Sequence, residues 1–382
     1  MSRQPRPARA STAGWVLFRL GGVPVVLAPS WLLIAAVLLA LYYPVVRGLV
    51  PRAPTGTVAA TTAAFVVMLF VSVLVHELAH GLVAARLGSR PREYVITFWG
   101  GHTAFERELP TPGASAAVSA AGPAANAVLA AAAWAATQLP GPALPLWLVL
   151  WGAVVSNTIV AVFNLLPGLP LDGGRILEAA VWRATGDRLR GTTVAAWGGR
   201  VVVVAVVAAV LLWPLLEGRR PGLGTVLWVA ILGSFLWAGA GQSLAAARTL
   251  RAARTLDLLA LLRPAAALPA TASVADAEPA LARGAAVVVI DGGRPVAVVD
   301  VTAVVAVPAE RRATTPVAAV AHPLAAEQVL PPLTGAAAAQ AVARAQEHGS
   351  VAVVGDAAGV RGIVSVADVA AALRRPAVHR RG

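Results

Sequence analysis

The sequence has no cysteine and no lysine, and only 13% of its 382 residues are charged. Without cysteine there is no disulfide, thiolate metal site or cysteine nucleophile, so any metal site must use His, Asp or Glu. A soluble domain usually carries about 25% charged residues. The shortage of charge, together with 58% hydrophobic residues, indicates a chain that lies largely in a lipid bilayer.

All 31 basic residues are arginines, and the formal net charge is +13. A basic balance can indicate a nucleic-acid partner or an anionic membrane surface. These arginines are spread through loops between apolar stretches and do not gather in one patch. The distribution favours membrane topology, and no nucleic-acid partner is predicted.

Six apolar runs are long enough to predict helices that cross a bilayer, which requires about 20 residues. Pro24 and Pro29 interrupt the stretch before the first run, which is therefore predicted to be extended or re-entrant. The tail Met1–Ala13 holds three arginines and no apolar core, so the first run is predicted to be a retained helix and not a cleaved signal. The predicted spans are 30–46, 58–83, 114–138, 145–166, 194–216 and 223–246.

The loops between these runs differ in positive charge. The N-terminal tail, the loop after the second run and the loop after the fourth run hold most of the loop arginines, whereas the opposite loops hold few. The positive-inside rule then predicts a multi-pass cell-membrane protein with both termini in the cytoplasm.

After about residue 250 the hydrophobic runs shorten and become rich in valine, as in "AAVVVID" (285–291) and "SVAVVG" (350–355). Short apolar strands alternating with helical stretches predict a soluble α/β unit, and the pattern occurs twice, which indicates a paired module. The predicted fold class is an α-helical polytopic membrane protein followed by a soluble α/β domain. The predicted domains are residues 1–249 and 250–382.

The second apolar run contains "VHELAHG", in which His76 and His80 are four residues apart and lie one helical turn from each other on one face. This is the H-E-x-x-H arrangement, in which the two histidines bind zinc and Glu77 acts on water as the general base. The same pattern also occurs at helix ends that meet water. Its position inside an apolar run, where ionisable residues are unfavourable, favours a functional site.

A catalytic zinc site needs a third protein ligand and keeps one position open. Asp172 in "FNLLPGLPLDGGRIL" is the first candidate, because it follows the fourth run directly and prolines and glycines break the helix around it. Broken backbone at membrane depth is tolerated only where it is buried in protein or lines a cavity. Asp187, in a charged stretch, is the alternative ligand, and an Asp-Gly turn is the structural alternative for Asp172.

Together, "HELAH", "GPAAN" and "NLLPGLPLDGGR" resemble the site-2 protease family of intramembrane zinc metalloproteases, over roughly residues 15–245. The resemblance implies one zinc ion held by His76, His80 and Asp172, with Glu77 as the catalytic base and a membrane-spanning protein as the substrate. It also implies that Asn164 positions substrate or stabilises the oxyanion.

Three asparagines lie within the predicted spans. Contact between helices is the structural alternative for Asn164. Asn126 in "GPAAN" is expected to bond to a partner helix or to the substrate backbone, and Asn157 matches no motif and is interpreted as structural.

The segment "YVITFWGGHTAFERELPTP" (94–112) resembles the family's β-hairpin, which can bind a substrate strand by edge pairing. His102 is a departure from the family's pattern. It is either a fourth metal ligand in a resting state or a histidine hydrogen-bonded within the loop.

The C-terminal repeat resembles a pair of CBS modules, which often bind adenine nucleotides through a Ser or Thr and an Asp at the start of the last helix. The second repeat has Ser365 and Asp368 in "GIVSVADV", whereas the first has Asp300 and Ala303 at those places. The resemblance implies an ATP or AMP site in the second repeat and regulation by the pair. The alternative is a purely structural module that forms a homodimer.

A CBS-regulated membrane transporter of ions or metals is the alternative function, with the intramembrane histidines and aspartate as carriers. A transporter requires polar residues leading to both faces of the membrane. The titratable residues instead collect between the ends of the second and fourth runs. The sequence therefore favours a zinc metalloendopeptidase.

Overall fold

The computed structural model describes residues 13–98, 100–106, 108–141, 143–356 and 358–374. The chain divides into two compact units, Met1–Leu244 and Ala245–Gly382. This division lies close to the boundary predicted between 249 and 250. The tail arginines Arg3, Arg6 and Arg9, on which part of the topology prediction depends, lie outside the described residues.

The first unit is mainly helical, and its last helix continues past Leu244. In chain order its elements are β1 (Trp15–Leu20), β2 (Val23–Leu27), α1 (Ser30–Leu49), α2 (Thr55–Arg86), β3 (Pro91–Thr97), β4 (Gly100–Phe105), α3 (Pro112–Thr137), α4 (Leu144–Asn164), α5 (Asp172–Thr185), α6 (Arg188–Leu216) and α7 (Leu223–Arg254).

Six of the described helices, α1 to α4, α6 and α7, are long and apolar enough to cross a membrane by length and composition. They occur where the six spans are predicted. Four begin earlier than predicted: α3 and α4 by one or two residues, and α2 and α6 by more, at Thr55 and Arg188. Hydropathy misses such ends because polar residues cap and continue a helix, as when the Asp187 side chain accepts a hydrogen bond from the Leu189 N–H at the start of α6.

A four-stranded sheet in the order β1-β2-β3-β4 accompanies the helices. The pair β2–β3 is parallel, and the two outer pairs are antiparallel. Strand β2 confirms that the segment before the first membrane helix is extended. Its Val25 and Val26 are fully buried, as is Val95 on β3. Strand β4, which carries His102, is therefore at one edge of this sheet.

The chain leaves the helical conformation between Asn164, the end of α4, and Asp172, the start of α5. Pro167 and Pro170 have no N–H for a helical hydrogen bond. The Leu169 N–H instead donates to the Ala195 carbonyl of α6 at 2.9 Å. The predicted break is present, and it places Asp172 in the first turn of a short helix.

The second unit contains two repeats of an α/β motif. Its further elements are β5 (Ala265–Pro269), α8 (Val274–Ala282), β6 (Ala286–Asp291), β7 (Arg294–Val299), α9 (Val301–Ala306), α10 (Ala309–Arg312), β8 (Ala321–Pro323), β9 (Val329–Leu330), α11 (Gly335–Gln346), β10 (Val351–Asp356), β11 (Gly359–Ser365) and α12 (Val366–Arg374).

Both repeats have the order strand, helix, strand, strand, helix: β5-α8-β6-β7-α9 and β9-α11-β10-β11-α12. In each repeat the first strand is parallel to the second, and the second is antiparallel to the third. Each repeat also has its own apolar core, which includes Val287 and Val289 in the first and Ala352 and Val354 in the second. The predicted paired α/β module is therefore present.

Candidate metal centre

His76 and His80 lie on one face of α2, and both are buried at 8% exposure. Their Nε2 atoms are 3.0 Å apart. Helix α2 also buries Glu77, which lies between them in the sequence. Because i and i+4 side chains share a helical face, the spacing read from the sequence directly produces this pair.

Asp172 completes the group. Its Oδ2 lies 3.1 Å from Nε2 of His76 and 3.4 Å from Nε2 of His80. Among the described residues, these three form the group of His, Asp and Glu side chains that could hold a metal ion. The alternative ligand, Asp187, caps α6 and is not in the group.

The hydrogen-bond partners of the two Nδ1 atoms determine which nitrogen of each ring carries the hydrogen. Nδ1 of His76 faces Oδ1 of Asn126 at 2.5 Å, and Nδ1 of His80 faces the Val118 carbonyl oxygen at 2.7 Å. Both partners are acceptors, so each Nδ1 carries the hydrogen and each neutral ring presents a lone pair at Nε2.

Three acceptors therefore converge without a donor between them: two imidazole lone pairs and one carboxylate oxygen. Oδ2 of Asp172 is buried and has no hydrogen-bond partner among the described residues. Such an arrangement is unfavourable unless a cation lies between the acceptors. Two imidazoles and one carboxylate are donors that zinc accepts in catalytic sites, so the residues present fit zinc.

Glu77 is held beside the group by β4. The Thr103 hydroxyl lies 2.9 Å from Oε2 of Glu77 and 3.1 Å from the Glu77 backbone oxygen. Only 6% of Glu77 is exposed, and it lines the same cavity as the three candidate ligands. A carboxylate in this position can exchange a proton with water or substrate in the cavity.

Two glycines make room for the centre. A Cβ at Gly122 of α3 would overlap the Nε2 atoms of His76 and His80, and a Cβ at Gly101 of β4 would overlap the carboxylate of Glu77. A larger residue at either place would displace these side chains, so glycine permits the close approach of backbone to side chain. Sequence reasoning missed both roles, because the contacts join segments that are far apart in the chain.

The cavity has a volume of about 460 Å³. Asn164 and His102 line it together with the candidate ligands and Glu77. Nδ2 of Asn164 donates to the Val160 carbonyl at 3.0 Å. His102 is exposed and is not in the candidate metal group, so nothing in the geometry favours a fourth ligand.

Asn126 and Asn157 have larger roles at the centre than the sequence predicts. Nδ2 of Asn126 donates to Oδ1 of Asn157 at 2.7 Å, while Oδ1 of Asn126 faces the His76 ring. Asn157, interpreted from the sequence as structural, is thus hydrogen-bonded to the residue that contacts the candidate ligand His76. The only signal in the sequence was a carboxamide inside an apolar run.

In the second unit, Ser365 ends β11 and Asp368 lies in the first turn of α12. Oγ of Ser365 accepts a hydrogen bond from the Ala367 N–H at 3.2 Å. Asp368 accepts two hydrogen bonds from Arg263, at 2.8 and 3.0 Å. The two residues predicted to bind nucleotide are therefore three positions apart at the junction of β11 and α12, and the carboxylate has a cationic partner.

Comparison with known proteins points to the same segment. Residues 64–145 and 142–209 match the model of Peptidase family M50. The matched segments contain both histidines, Glu77, Asn164 and Asp172. The protein "Putative zinc metalloprotease Rip3" of Mycobacterium tuberculosis is 41% identical over 180 residues, which cover 46% of this chain and 44% of that protein. The chain spans about half the length of the curated relatives it matches.

Two solved structures are similar to parts of the chain. The "Site-2 Protease from Methanocaldococcus jannaschii" has 23% identity and a TM-score of 0.41, over 60% of this chain and 94% of that one. The CBS domain of a bacterial CNNM/CorC family Mg²⁺ transporter, in complex with ATP, has 20% identity and a TM-score of 0.26, over 34% of this chain and 94% of that one. By their names, the matched family is a peptidase family and the relative is a zinc metalloprotease, and neither favours the transporter alternative.

Proposed function

We propose that this chain is an intramembrane zinc metalloprotease, a zinc metalloendopeptidase that hydrolyses peptide bonds of membrane-spanning proteins in regulated intramembrane proteolysis. The observation that carries the proposal is the convergence of three buried acceptors beside Glu77, among helices apolar enough to cross a membrane. His76, His80 and Asp172 would hold the zinc ion. The match to Peptidase family M50 supports this assignment.

Zinc held by these residues would supply Lewis acidity toward water and a peptide carbonyl. Glu77 removes a proton from the attacking water and delivers it to the departing amine, so it acts first as base and then as acid. The hydrogen bond from Thr103 orients the Glu77 carboxylate for this exchange. Asn164 lines the same cavity, where an amide N–H can donate to the developing oxyanion.

The substrate segment must be extended to reach these groups, because a helix keeps its amides in internal hydrogen bonds. Strand β4 borders the cavity through Gly101, His102 and Thr103, and it is at the edge of its sheet. An unwound substrate segment can pair with such an edge through main-chain hydrogen bonds. Spans that contain Gly, Pro or Asn are therefore the expected targets.

The variant Glu77→Gln tests the proposal. Purified protein in lipid nanodiscs is mixed with single-span test proteins whose spans contain Gly, Pro or Asn, and zinc per chain is measured in parallel. We expect cleavage to disappear while zinc stays at one ion per chain, because the amide cannot accept the proton. The matched control is Glu310→Gln on α10, outside the site, which keeps both. Cleavage that persists in Glu77→Gln, or a native chain that binds no zinc, contradicts the proposal.

We further propose that residues 250–382 form a cytoplasmic CBS pair, with Ser365 and Asp368 binding the phosphate and ribose of ATP or AMP. The two strand–helix–strand–strand–helix repeats support a paired module. Asp368 would exchange its Arg263 partner for ribose hydroxyls. Calorimetric titration of the full chain with ATP and with AMP tests this, with Asp368→Asn expected to weaken binding at least about 10-fold. A native chain that binds neither nucleotide contradicts it.

We propose a multi-pass cell-membrane location with both termini in the cytoplasm. The support is the six apolar helices and the arginine-rich loops on one side of them. Reporter fusions at each terminus that are active only in the periplasm test the orientation, and activity at either end contradicts it. A homodimer through the second unit stays a prediction.

A further inference from the structure

We propose that Asn157 is a positioning residue for the metal centre: acting through Asn126, it fixes the tautomer and ring orientation of His76 and so sets the affinity for the metal. The inference rests on the metal centre of the proposed function and assigns a role to a helix, α4, that supplies no candidate ligand. A series of hydrogen bonds joins Ala153, Asn157, Asn126 and His76, in that order.

The direction of this series begins at a backbone carbonyl. The Ala153 oxygen can only accept, so the Asn157 group that faces it at 2.9 Å must be the Nδ2 donor. The same Nδ2 lies 3.0 Å from Oγ of Ser72 on α2. Because Nδ2 of Asn157 donates to both the Ala153 carbonyl and Ser72, Oδ1 of Asn157 must face Asn126.

Asn126 is oriented in turn. Its Nδ2 donates to Oδ1 of Asn157 at 2.7 Å, so its own Oδ1 faces Nδ1 of His76 at 2.5 Å. A neutral His76 must then carry its hydrogen on Nδ1, which leaves the lone pair on Nε2 directed at Asp172 and His80. If the Asn126 amide were reversed, two acceptors would meet at Asn157, and Nδ2 of Asn126 would donate to Nδ1 of His76, which moves the ring hydrogen to Nε2 and removes the lone pair from the centre.

Because both asparagines are buried, this series of hydrogen bonds determines the orientation of their amide groups. Asn126 is 0% exposed and Asn157 is 2% exposed, so bulk water has no access with which to satisfy either amide in a reversed orientation. An unpaired polar group is most unfavourable where water and alternative partners are excluded. The amide orientations are therefore fixed by the protein.

The two histidines differ in how they are held. Nδ1 of His80 faces a backbone oxygen, that of Val118 on α3, which cannot rotate independently of the helix. Nδ1 of His76 faces a side chain whose orientation depends on a second side chain on α4. Removing the Asn157 side chain should therefore disturb His76 and leave His80 in place.

The test is zinc affinity of the full chain in detergent, measured by competition with a chelator of known affinity at pH 7. We expect Asn157→Leu to weaken zinc binding about 10- to 100-fold, the range for lost partners of a metal-bound histidine. Ser156→Ala is the matched control, because Ser156 is the neighbouring residue and bonds to its own helix at Gly152. That variant should bind zinc as the native chain does.

A rescue separates positioning from general destabilisation. In the Asn157→Leu background, Asn126→Asp supplies a carboxylate that presents an acceptor to His76 in either orientation, so affinity should return to within about 5-fold of native. A merely structural defect would not be repaired by burying a charge. If Asn157→Leu does not fold, Asn157→Ala replaces it in both measurements.

The outcomes distinguish this inference from the proposed function. A native chain that binds no zinc removes the metal centre itself. A native chain that binds zinc, together with a folded Asn157→Leu that binds it equally tightly, overturns only the role of Asn157. Loss of affinity that Asn126→Asp does not restore overturns it as well.

Discussion

Asp172 and Asp368 are both carboxylates in the first turn of a helix, one in each compact unit, but their surroundings differ. Asp172 is largely buried, and its Oδ2 has no hydrogen-bond partner among the described residues. Asp368 is half-buried, and Arg263 donates to both of its oxygens. The first carboxylate faces two histidines, whereas the second is paired with an arginine of the chain.

The site of Asp172 is therefore expected to depend on a bound metal ion, whereas the site of Asp368 is not. A buried carboxylate beside two imidazole lone pairs is unfavourable without a metal. An exposed ion pair contributes about 0–1 kcal/mol and can be exchanged for a ligand with little loss. Residues of the same type, at the same place on a helix, thus have different expected effects on binding.

The largest expected effect is that of Asp172→Asn. The amide keeps the shape but removes the charge, so zinc affinity should fall by more than about 100-fold, the upper end of the loss for a partner that does not itself bind the metal. Asp368→Asn is the matched control and should leave zinc affinity unchanged. Chelator competition on both variants measures the effect. Equal zinc affinity in the native chain and Asp172→Asn would remove Asp172 from the centre.

Substitutions at Gly122 and Gly101 should affect metal binding and catalysis separately. Gly122→Ala places a Cβ against both candidate histidine ligands and should lower the bound zinc to well below one ion per chain. Gly101→Ala places a Cβ against Glu77 and should keep zinc while lowering the cleavage rate. Gly113→Ala, on the same helix as Gly122 and with open space around its Cβ, should change neither quantity.

Zinc content and cleavage rate in these three glycine variants can also contradict the proposed centre. Zinc loss in Gly101→Ala together with zinc retention in Gly122→Ala would contradict the proposed centre, because the Cβ at Gly122 is the one that meets the two histidines.

A smaller effect is expected for Thr103→Val. The variant is close in shape and loses the hydroxyl that lies 2.9 Å from Oε2 of Glu77. Loss of a hydrogen bond to a charged group costs about 1.5–3 kcal/mol, so kcat should fall about 10- to 150-fold if the bond is equally strong in the transition state. Zinc content should not change. A kcat within twofold of native would show that Thr103 does not orient the base.

The smallest effect belongs to a surface carboxylate, Asp300. A hydrogen bond from the Thr302 N–H lowers the pKa of this side chain from 3.8. A lowered folded-state pKa adds stability above the unfolded value, and that stability is lost as the pH falls through the folded value. In Asp300→Asn the free energy of unfolding should therefore depend less on pH below about pH 4. Above about pH 5 its pH dependence should be the same as in the native chain. Urea unfolding at pH 3 and pH 6 measures this, and equal pH dependence in both chains contradicts it.

Local patterns were sufficient to predict much of the centre. His76, Glu77 and His80 depend on a four-residue spacing within one helix, and Asp172 was marked by prolines that end α4. The membrane helices were predicted from apolar runs, although hydropathy placed the start of α6 at 194 and the helix begins at Arg188. Each of these signals is contained within one continuous segment of the sequence.

The contacts that complete the centre could not be predicted in this way. Asn126 and Asn157 are 31 residues apart, and their bond depends on how two helices are rotated about their axes. The role of Gly122 requires α3 to approach α2 closely at the histidines. Helix rotation and separation result from packing over whole helices, which no short segment of sequence specifies.

The most direct test of the proposed metal centre is zinc K-edge X-ray absorption on the purified full chain, compared with His80→Ala and Asp172→Asn. We expect one zinc ion per chain with two imidazoles, and nitrogen and oxygen ligands at about 2.0–2.2 Å. His80→Ala should lose one imidazole signal, and Asp172→Asn should lose most of the zinc. A native chain without zinc, or an imidazole count that His80→Ala does not reduce, would contradict the central claim.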